Sequence, residues 1–197
     1  SSPKDNMPLI VYLHGGSGKG DNLDVLTEHE GLPQFLEQGQ LSPSAYVIMP
    51  QVGEDVRFWR EAAADLTELV NSFAAEYKID TDNISLTGHS MGGIGVWEVA
   101  FEHSDVFSRI APLSGTVSRR LAPEIDKITI PVWAFAGDDE SDSNAYSSNT
   151  TAFLILENTN KSAKLTIMQG ATHKDVASAY LKYNILDFLI GKAQSEE

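Results

Sequence analysis

Cysteine is absent from the 197-residue sequence. This absence excludes disulfide scaffolds, a thiol nucleophile and cysteine-ligated metal, although it does not decide the cellular compartment. Long hydrophobic runs are also lacking, since the longest apolar segments, such as residues 9–13, are far shorter than the roughly 20 residues that a membrane-spanning helix needs. We therefore expect a soluble protein without a membrane partner.

The N-terminal segment Ser-Ser-Pro-Lys-Asp-Asn has no apolar stretch of the kind found in signal peptides. A signal that is removed on export leaves no trace in the mature chain. The localisation therefore stays open between the cytoplasm and secretion.

Basic residues are scarce, with 14 Lys and Arg against 28 Asp and Glu, which gives a formal net charge of −14. Such a charge repels phosphate backbones, and no basic cluster is larger than Arg119-Arg120, so we expect no nucleic-acid partner. Apolar residues make up 42% of the chain, which is ordinary for a globular protein. The length fits one domain at roughly 100–200 residues per domain, and we expect residues 1–197 to form a single domain.

Short apolar segments alternate with helical patterns along the chain. Strands are predicted at residues 9–13, 46–49, 84–87, 108–113, 131–135 and 164–168. Helices are predicted at residues 61–77, 91–101, 146–157 and 175–189. This alternation predicts an α/β fold with a mostly parallel sheet and helices on both faces.

The segment Gly88-His-Ser-Met-Gly92 lies between a predicted strand and a predicted helix, and it matches the G-x-S-x-G pattern of a nucleophile elbow. The glycines are needed because side chains at both positions would crowd neighbouring backbone. The sharp turn exposes the hydroxyl of Ser90 and places the N–H of Met91 at a helix N-terminus, where it can stabilise negative charge. We predict Ser90 as a nucleophile; the alternative is a glycine-rich turn with an idle serine.

A second glycine cluster, His14-Gly-Gly-Ser-Gly-Lys-Gly20, follows the first predicted strand. The loop after an early strand supplies the other oxyanion donor in this type of site, and we assign it to the N–H of Gly16, with that of Ser17 as the alternative. A phosphate-binding loop is disfavoured because Asp21 stands where that motif requires lysine.

The general base is expected to be a histidine that follows the nucleophile in the chain. His173 comes directly after the last predicted strand, in a loop that can direct its ring over the strand ends. His14 and His89 are expected to shape turns, whereas His29 and His103 lie in polar segments that we expect to be exposed. His173 is therefore the predicted base.

The acid member is expected in Gly137-Asp-Asp-Glu-Ser-Asp142, which follows the fifth predicted strand. A single carboxylate suffices to hold the imidazole tautomer and to stabilise the imidazolium. The residues alone leave Asp138, Asp139, Glu140 and Asp142 as candidates.

Two aromatic residues, Phe58 and Trp59, precede the first long predicted helix. They could line an aromatic substrate pocket, which makes Trp59 a candidate substrate-binding residue. The alternative is that they pack this helix against the sheet.

The segment from Ile79 to Trp97 resembles one branch of the α/β-hydrolases. This branch contains the phospholipase/carboxylesterase-like and "predicted peptidase" esterases, with feruloyl-esterase and polyhydroxyalkanoate-depolymerase-type enzymes nearby. Leu13-His-Gly-Gly, Pro50-Gln51 and Ala111-Pro-Leu-Ser-Gly115 match it too, so the resemblance covers about residues 8–190. It implies a single-domain α/β-hydrolase with a minimal lid, since only residues 116–129 separate two predicted strands.

Carried over position by position, the resemblance supports Ser90, His173, Gly16 and Met91 in the roles given above. Family members usually have aspartate three residues after the glycine that ends the penultimate strand. In this sequence that position holds Glu140, which becomes the first choice for the acid. The departure from aspartate leaves the three neighbouring aspartates as alternatives.

The implied activity is that of a serine carboxylesterase acting on short-chain or aryl esters, including carbohydrate-linked ones, through an acyl-enzyme on Ser90. A thioesterase or lysophospholipase would use the same groups, and a catalytically silent binding module is the alternative from another class. No metal or organic cofactor is required, because the histidines are scattered without metal-ligand spacing. The chain is expected to be a monomer or a homodimer.

Overall fold

The structure, a computed structural model, describes residues 5–140 and 144–192. Six strands in these residues form one sheet in the order β2-β1-β3-β4-β5-β6, with every neighbouring pair parallel. The strands are β1 (Leu9–Leu13), β2 (Tyr46–Ile48), β3 (Ile84–His89), β4 (Arg109–Leu113), β5 (Val132–Gly137) and β6 (Ala163–Met168). Each coincides with a predicted apolar segment to within two residues, which confirms the predicted fold class.

Helices cover both faces of the sheet. The α-helices are α1 (Leu32–Glu37), α2 (Ala63–Glu76), α3 (Met91–Glu102), α4 (Ala145–Thr159), α5 (Ala179–Lys182) and α6 (Ile185–Leu189). Short 3-10 helices lie at Gly16–Gly18, Leu23–Thr27, Trp59–Ala62, Thr81–Asn83, Ala122–Lys127 and Asp175–Ser178. None of the helices within the described ranges is long and apolar enough to cross a bilayer.

The core is divided by the sheet into two apolar clusters, as β1 illustrates. Leu9, Val11 and Leu13 point into the cluster that contains α2, α3 and α4. Ile10 and Tyr12 point into the cluster beneath α1, α5 and α6. Because successive side chains of a strand alternate between faces, a strand buried on both faces is apolar throughout, and this is why the strands were recognisable as continuous apolar runs.

The predicted helix at residues 175–189 is wrong as a single element, because the segment is divided into a 3-10 turn, α5 and α6. The break falls at Tyr183, whose backbone is extended at φ −128° and ψ 155°. Its ring packs 5.2 Å from that of Phe135 and 6.3 Å from that of Trp133. This aromatic packing against β5 accounts for an interruption that hydrophobic periodicity does not reveal.

The direction in which successive strands are added to the sheet reverses at β1. The chain passes from β1 to β2 on one side and then returns to β3 on the other side of β1. Ligand crevices of open parallel sheets lie outside the carboxyl ends of the strands at such a reversal. Leu13 at the end of β1 pairs with Gly88 near the end of β3, so the two glycine-containing loops are neighbours at this position.

Candidate active site

The turn between β3 and α3 holds Ser90 in an unusual backbone conformation, with φ 61° and ψ −122°. Positive φ is uncommon for a residue with a side chain and is typical of strained functional turns. The Ser90 N–H donates to the carbonyl of Leu113, and the Ser90 carbonyl accepts from the N–H of Ile94, both at 3.0 Å. These bonds hold the strained residue between the sheet and the helix.

Both glycines of the turn are required by the close approach of backbone segments. A Cβ atom added at Gly92 would lie 1.9 Å from the carbonyl oxygen of Leu13, and one added at Gly88 would lie 2.6 Å from the same oxygen. Both distances are too short for real atoms, and the backbone that they involve cannot shift without a large energetic cost. The G-x-S-x-G spacing is therefore a packing requirement at the junction of β1, β3 and α3.

Three side chains predicted from the sequence lie in one hydrogen-bonded line. The Nε2 atom of His173 is 2.8 Å from the Oγ atom of Ser90, and its Nδ1 atom is 3.0 Å from the Oε2 atom of Glu140. Since a carboxylate only accepts, the neutral ring carries its proton on Nδ1 and its Nε2 accepts from the Ser90 hydroxyl. The ring is thus in the tautomer that a general base requires.

The carboxylate of Glu140 accepts hydrogen bonds from two further groups, and the residue is only 3% exposed. Its Oε1 atom accepts from the backbone N–H of Gly137 at 2.5 Å and from the hydroxyl of Ser114 at 2.8 Å. Ser114 follows β4 with a positive φ of 46°, and its N–H donates to the carbonyl of Phe135 in β5 at 2.9 Å. Sequence reasoning missed Ser114; its only signal was its place in the Ala111–Gly115 segment of the resemblance.

The other candidate acids have different positions. Asp138 is exposed and accepts from the N–H of Gly170 at 2.6 Å, and Asp139 is also exposed. Asp142 lies outside the described residues. Of the candidates within the described part of the chain, Glu140 is the one in contact with His173.

His89, within the turn itself, contacts the loop that carries His173. Its Nε2–H donates to the backbone carbonyl of His173 at 2.8 Å, and the two rings lie 4.9 Å apart at an angle of 35°. Burial lowers the pKa of His89 to about 4. A neutral imidazole therefore supports the His173 loop without adding a positive charge beside it.

His14, the second histidine expected to shape a turn, anchors the loop after β1 and is only 3% exposed. Its Nδ1–H donates to the carbonyl of Gly15 at 2.7 Å, and its Nε2 accepts from the N–H of Val52 at 3.1 Å. Burial lowers the pKa of His14, which favours this neutral form. A Cβ added at Gly18 would lie 2.7 Å from the ring, so the loop closes tightly around it.

Trp59 is buried in the protein interior and does not line the cleft, contrary to its prediction as a substrate-binding residue. It is 1% exposed, and its Nε1–H donates to the carbonyl of His14 at 3.0 Å. A Cβ added at Gly95 would meet its side chain at 2.5 Å, so the indole packs tightly on α3. The substrate-binding assignment of Trp59 is corrected accordingly, because its ring is enclosed between the β1 loop and α3, while Phe58 is exposed.

The two predicted oxyanion donors begin helical turns on either side of Ser90. Gly16 begins the 3-10 helix after β1, and Met91 begins α3. The first N–H groups of a helix have no acceptor within it, so they are available to a ligand. The β1 loop lies directly beside the serine, since a Cβ added at Gly15 would be 3.5 Å from the Cβ of Ser90.

A cleft of about 540 Å³ opens above Ser90. It is lined by Tyr12, residues 14–18, Val25, Leu26, His29, Glu30, Pro33, His89, Ser90, His173 and Lys174. His29 is exposed, as expected, but it lies at the rim of this cleft. Sequence reasoning missed residues 25–33 as a wall of the site, because nothing in their pattern indicates that they fold back over β1.

A parallel sheet with a serine on a strained strand-to-helix turn, followed in the chain by an acid and then a histidine, defines the class of α/β-hydrolases. The whole chain, residues 1–197, matches the family model described as "Putative esterase". The chain belongs to this esterase family.

Two relatives share part of the sequence. The "Putative esterase NocK" of Nocardia uniformis subsp. tsuyamanensis is 26% identical over 148 residues, which cover 68% of this chain and 40% of that protein. The "Bifunctional acetylxylan esterase/xylanase XynS20E" of Neocallimastix patriciarum is 26% identical over 114 residues, or 56% of this chain and 16% of that protein. The chain thus matches less than half of the length of either relative.

Solved structures of esterases share the fold. One, described as a thermostable esterase, superposes with a TM-score of 0.78 at 18% identity and covers 98% of this chain and 57% of its own. The feruloyl esterase module from Clostridium thermocellum, complexed with sinapinate, has a TM-score of 0.71 at 16% identity and covers 100% of this chain and 82% of its own. At these identities the likeness establishes the fold alone.

Proposed function

We propose that this protein is a serine carboxylesterase that hydrolyses esters through an acyl-enzyme on Ser90. The observation that carries the proposal is the hydrogen-bonded line from Ser90 through His173 to Glu140, with separations of 2.8 and 3.0 Å. The 2.8 Å separation is within the range in which a base can take the proton of a nucleophile, and the 3.0 Å separation is that of a hydrogen bond which orients the base. Membership of an esterase family supports the same reaction.

Acylation begins when Nε2 of His173 takes the proton of Ser90 and Oγ attacks the ester carbonyl carbon. The carbonyl oxygen becomes an oxyanion, which accepts hydrogen bonds from the N–H groups of Gly16 and Met91. Glu140 stabilises the imidazolium that has formed. The imidazolium then donates its proton to the departing alcohol oxygen, and the acyl-enzyme remains.

Deacylation repeats these steps with water as the nucleophile. His173 takes a proton from the water molecule as its oxygen attacks the acyl carbon, and it returns the proton to Oγ of Ser90 when the acid leaves. Since Ser114 and Gly137 hold Glu140 in place, the imidazole keeps one orientation through both halves of the reaction.

The substrates proposed are short-chain or aryl esters, including esters carried by a polysaccharide. In the described part of the chain, residues 116–129 contain a single short 3-10 helix, Ala122–Lys127, so this connection forms no cap over the cleft. An open cleft admits an ester on a bulky carrier. The relative named as an acetylxylan esterase supports this substrate class, and a feruloyl esterase module shares the fold.

The proposal is tested with a series of p-nitrophenyl esters from acetate to palmitate, with methyl ferulate alongside. We expect activity to be highest on short or aromatic acyl groups and to fall by roughly 10⁴-fold or more in Ser90→Ala, because the nucleophile is removed. Ser72→Ala, an exposed serine on α2, is the matched control and should retain wild-type rates.

Equal activity of Ser90→Ala and wild type would refute the proposal. A wild-type protein inert on every ester would instead favour the catalytically silent binding module. Activity confined to long-chain esters would overturn the substrate class and favour a lysophospholipase.

A further inference from the structure

The pair Pro50-Gln51, which follows β2, takes no part in the chemistry proposed above. Gln51 is half-buried, and the described residues that line the cleft do not include it. Its Nε2 atom donates to the carbonyl of Gly18 and to the carbonyl of Asn22, both at 2.9 Å. Both protons of this amide group are therefore used on the backbone of the segment that follows β1.

The two carbonyls belong to different parts of the candidate site. Gly18 ends the 3-10 helix that begins at Gly16, whose N–H is a proposed oxyanion donor. Asn22 caps the next 3-10 helix, Leu23–Thr27, by accepting from the N–H of Asp24 with its side chain at 3.0 Å. That helix contributes two residues to the lining of the cleft. One amide group thus joins the loop of the proposed oxyanion donor to a wall of the cleft.

The next residue, Val52, contacts the same segment through its backbone. Its N–H donates to Nε2 of His14 at 3.1 Å, and its carbonyl accepts from the N–H of Gly20 at 3.0 Å. Gln51 and Val52 together make four hydrogen bonds to residues 14–22. This segment contains four glycines, which restrict a backbone less than any other residue. Its conformation therefore depends on contacts from outside the segment.

We propose that Gln51 is a positioning residue for ester hydrolysis, because its amide fixes the Gly16 N–H relative to Ser90 and to the cleft wall. A glutamine amide offers two N–H donors at the end of its side chain, whereas a carboxylate of the same length only accepts. Gln51 contacts no reacting atom and acts through the backbone carbonyl of Gly18. This inference rests on the proposed esterase function and adds a residue that aligns its oxyanion donor.

The experiment measures kcat/KM on p-nitrophenyl acetate for two variants, each at a temperature where thermal unfolding confirms that it is folded. Gln51→Met keeps a side chain of similar length without a donor. Gln51→Glu places a charged carboxylate opposite the two carbonyls. We expect kcat/KM to fall by about 10- to 10²-fold, with the larger loss in Gln51→Glu, because a misplaced donor costs at most what a missing donor costs.

A pair of inhibitors separates alignment of the oxyanion donor from general damage. Phenethyl trifluoromethyl ketone imitates the tetrahedral intermediate: Oγ of Ser90 adds to its carbonyl carbon, the hydroxyl proton passes to His173, and the carbonyl oxygen becomes an oxyanion. Phenethyl methyl ketone has the same carbon chain and binds without forming the adduct. In the Gln51 variants the inhibition constant of the trifluoromethyl ketone should rise by about the factor that kcat/KM loses, and that of the methyl ketone should stay unchanged.

Gln34→Met is the matched control, because Nε2 of Gln34 donates to the carbonyl of Thr27 at 3.1 Å, within the cleft wall. It removes a glutamine hydrogen bond without touching the loop that contains Gly16. Gln34→Met should therefore keep the wild-type ratio between the two inhibition constants. A purely structural role of Gln51 would lower the Tm of its variants and keep this ratio as well.

The inference is overturned if folded Gln51→Met keeps the wild-type ratio, or if Gln34→Met changes the ratio as much as Gln51→Met does. If Gln51→Met does not fold, Gln51→Glu is judged by the same criterion. Failure of the proposed function looks different, because Ser90→Ala would then hydrolyse the ester as fast as the wild type, and the trifluoromethyl ketone would inhibit neither protein.

Discussion

The loop after β1 that we propose to supply an oxyanion donor (the oxyanion loop, residues 14–18) and the loop after β6 that carries His173 (the base loop, residues 169–174) each contact a neutral histidine, but in different ways. His14 uses both ring nitrogens on backbone groups, one of its own loop and one of Val52. His89 uses one nitrogen on the carbonyl of His173 and presents its ring face to the base. His14 thus joins its own loop to Val52, whereas His89 adds one hydrogen bond and a ring contact to a loop that Asp138 and Asp139 also hydrogen-bond.

Each of the two glycine-containing motifs includes a histidine that hydrogen-bonds a loop of the candidate site. His14 directly precedes the glycines of the proposed oxyanion loop, and His89 directly precedes the proposed nucleophile, Ser90. Burial keeps both rings neutral, so neither adds charge to the site. The two short motifs therefore contain residues that position loops of the site as well as residues proposed for the chemistry.

The largest effect in this comparison is expected from Glu140→Gln, which changes the partner of His173 in the base loop and should lower kcat by about 10³- to 10⁴-fold. The uncharged amide does not stabilise the imidazolium, and its NH2 group, placed where Oε2 now faces Nδ1, donates to that nitrogen and holds the ring in the wrong tautomer. The measurement is kcat on p-nitrophenyl acetate. Asp138→Asn, a neighbouring exposed acid, is the matched control and should stay near wild type.

A smaller loss in Glu140→Gln than in Asp138→Asn would assign the acid to Asp138. Equal wild-type rates in both variants would remove both residues from the mechanism.

An intermediate effect is expected from His14→Phe, which keeps an aromatic ring but leaves the carbonyl of Gly15 and the N–H of Val52 without their partner. The β1 loop should lose the alignment of the Gly16 N–H, and kcat should fall by roughly 10²-fold, the effect of losing one oxyanion donor. The readout is kcat at a temperature where thermal unfolding confirms that the variant is folded.

His103→Phe is the matched control for this variant, since His103 lies at the far end of α3 from Ser90. Wild-type kcat in folded His14→Phe would mean that the loop does not depend on its histidine.

The smallest effect concerns the contribution of His89 to stability, which depends on pH. Because the pKa of His89 falls from an ordinary 6.5 to about 4 on folding, the unfolded chain binds more protons in this window. The stabilisation is therefore complete above pH 6.5 and is lost as pH falls toward 4. We expect the Tm of the wild type to drop across this window and that of His89→Phe to drop by a few degrees less.

The pH dependence is measured by calorimetry from pH 7 to 4, with His103→Phe as the control. Parallel Tm curves for wild type and His89→Phe would contradict the lowered pKa of His89.

The strands and the nucleophile turn were predictable from sequence because each rests on local rules. Buried parallel strands are continuous apolar runs, and the turn at Ser90 needs glycines at both flanks. The break at Tyr183 was not predictable, since α5 and α6 preserve a helical pattern of buried residues while an aromatic contact to β5 interrupts the backbone.

The acid and the cleft wall depended on tertiary contacts. Asp138, Asp139 and Glu140 are adjacent carboxylates, and only the positions of Ser114 and His173 distinguish them. Trp59 was ambiguous for the same reason, because an aromatic residue before a helix can face a pocket or the core. Its burial against His14 follows from the fold of the β1 loop.

The place of β4 between β3 and β5 has a consequence for engineering. Neighbouring strands are roughly 4.8 Å apart, so the strand ends that carry Ser90 and Glu140 are separated by about 10 Å. An imidazole with a hydrogen bond at each end is about the right length to connect two groups at that separation. The number of intervening strands thus sets the distance between the two groups. To install the same three groups on another parallel sheet, a designer would place the serine and the acid after two strands that have one strand between them. The end of that middle strand would have to stay below the histidine ring.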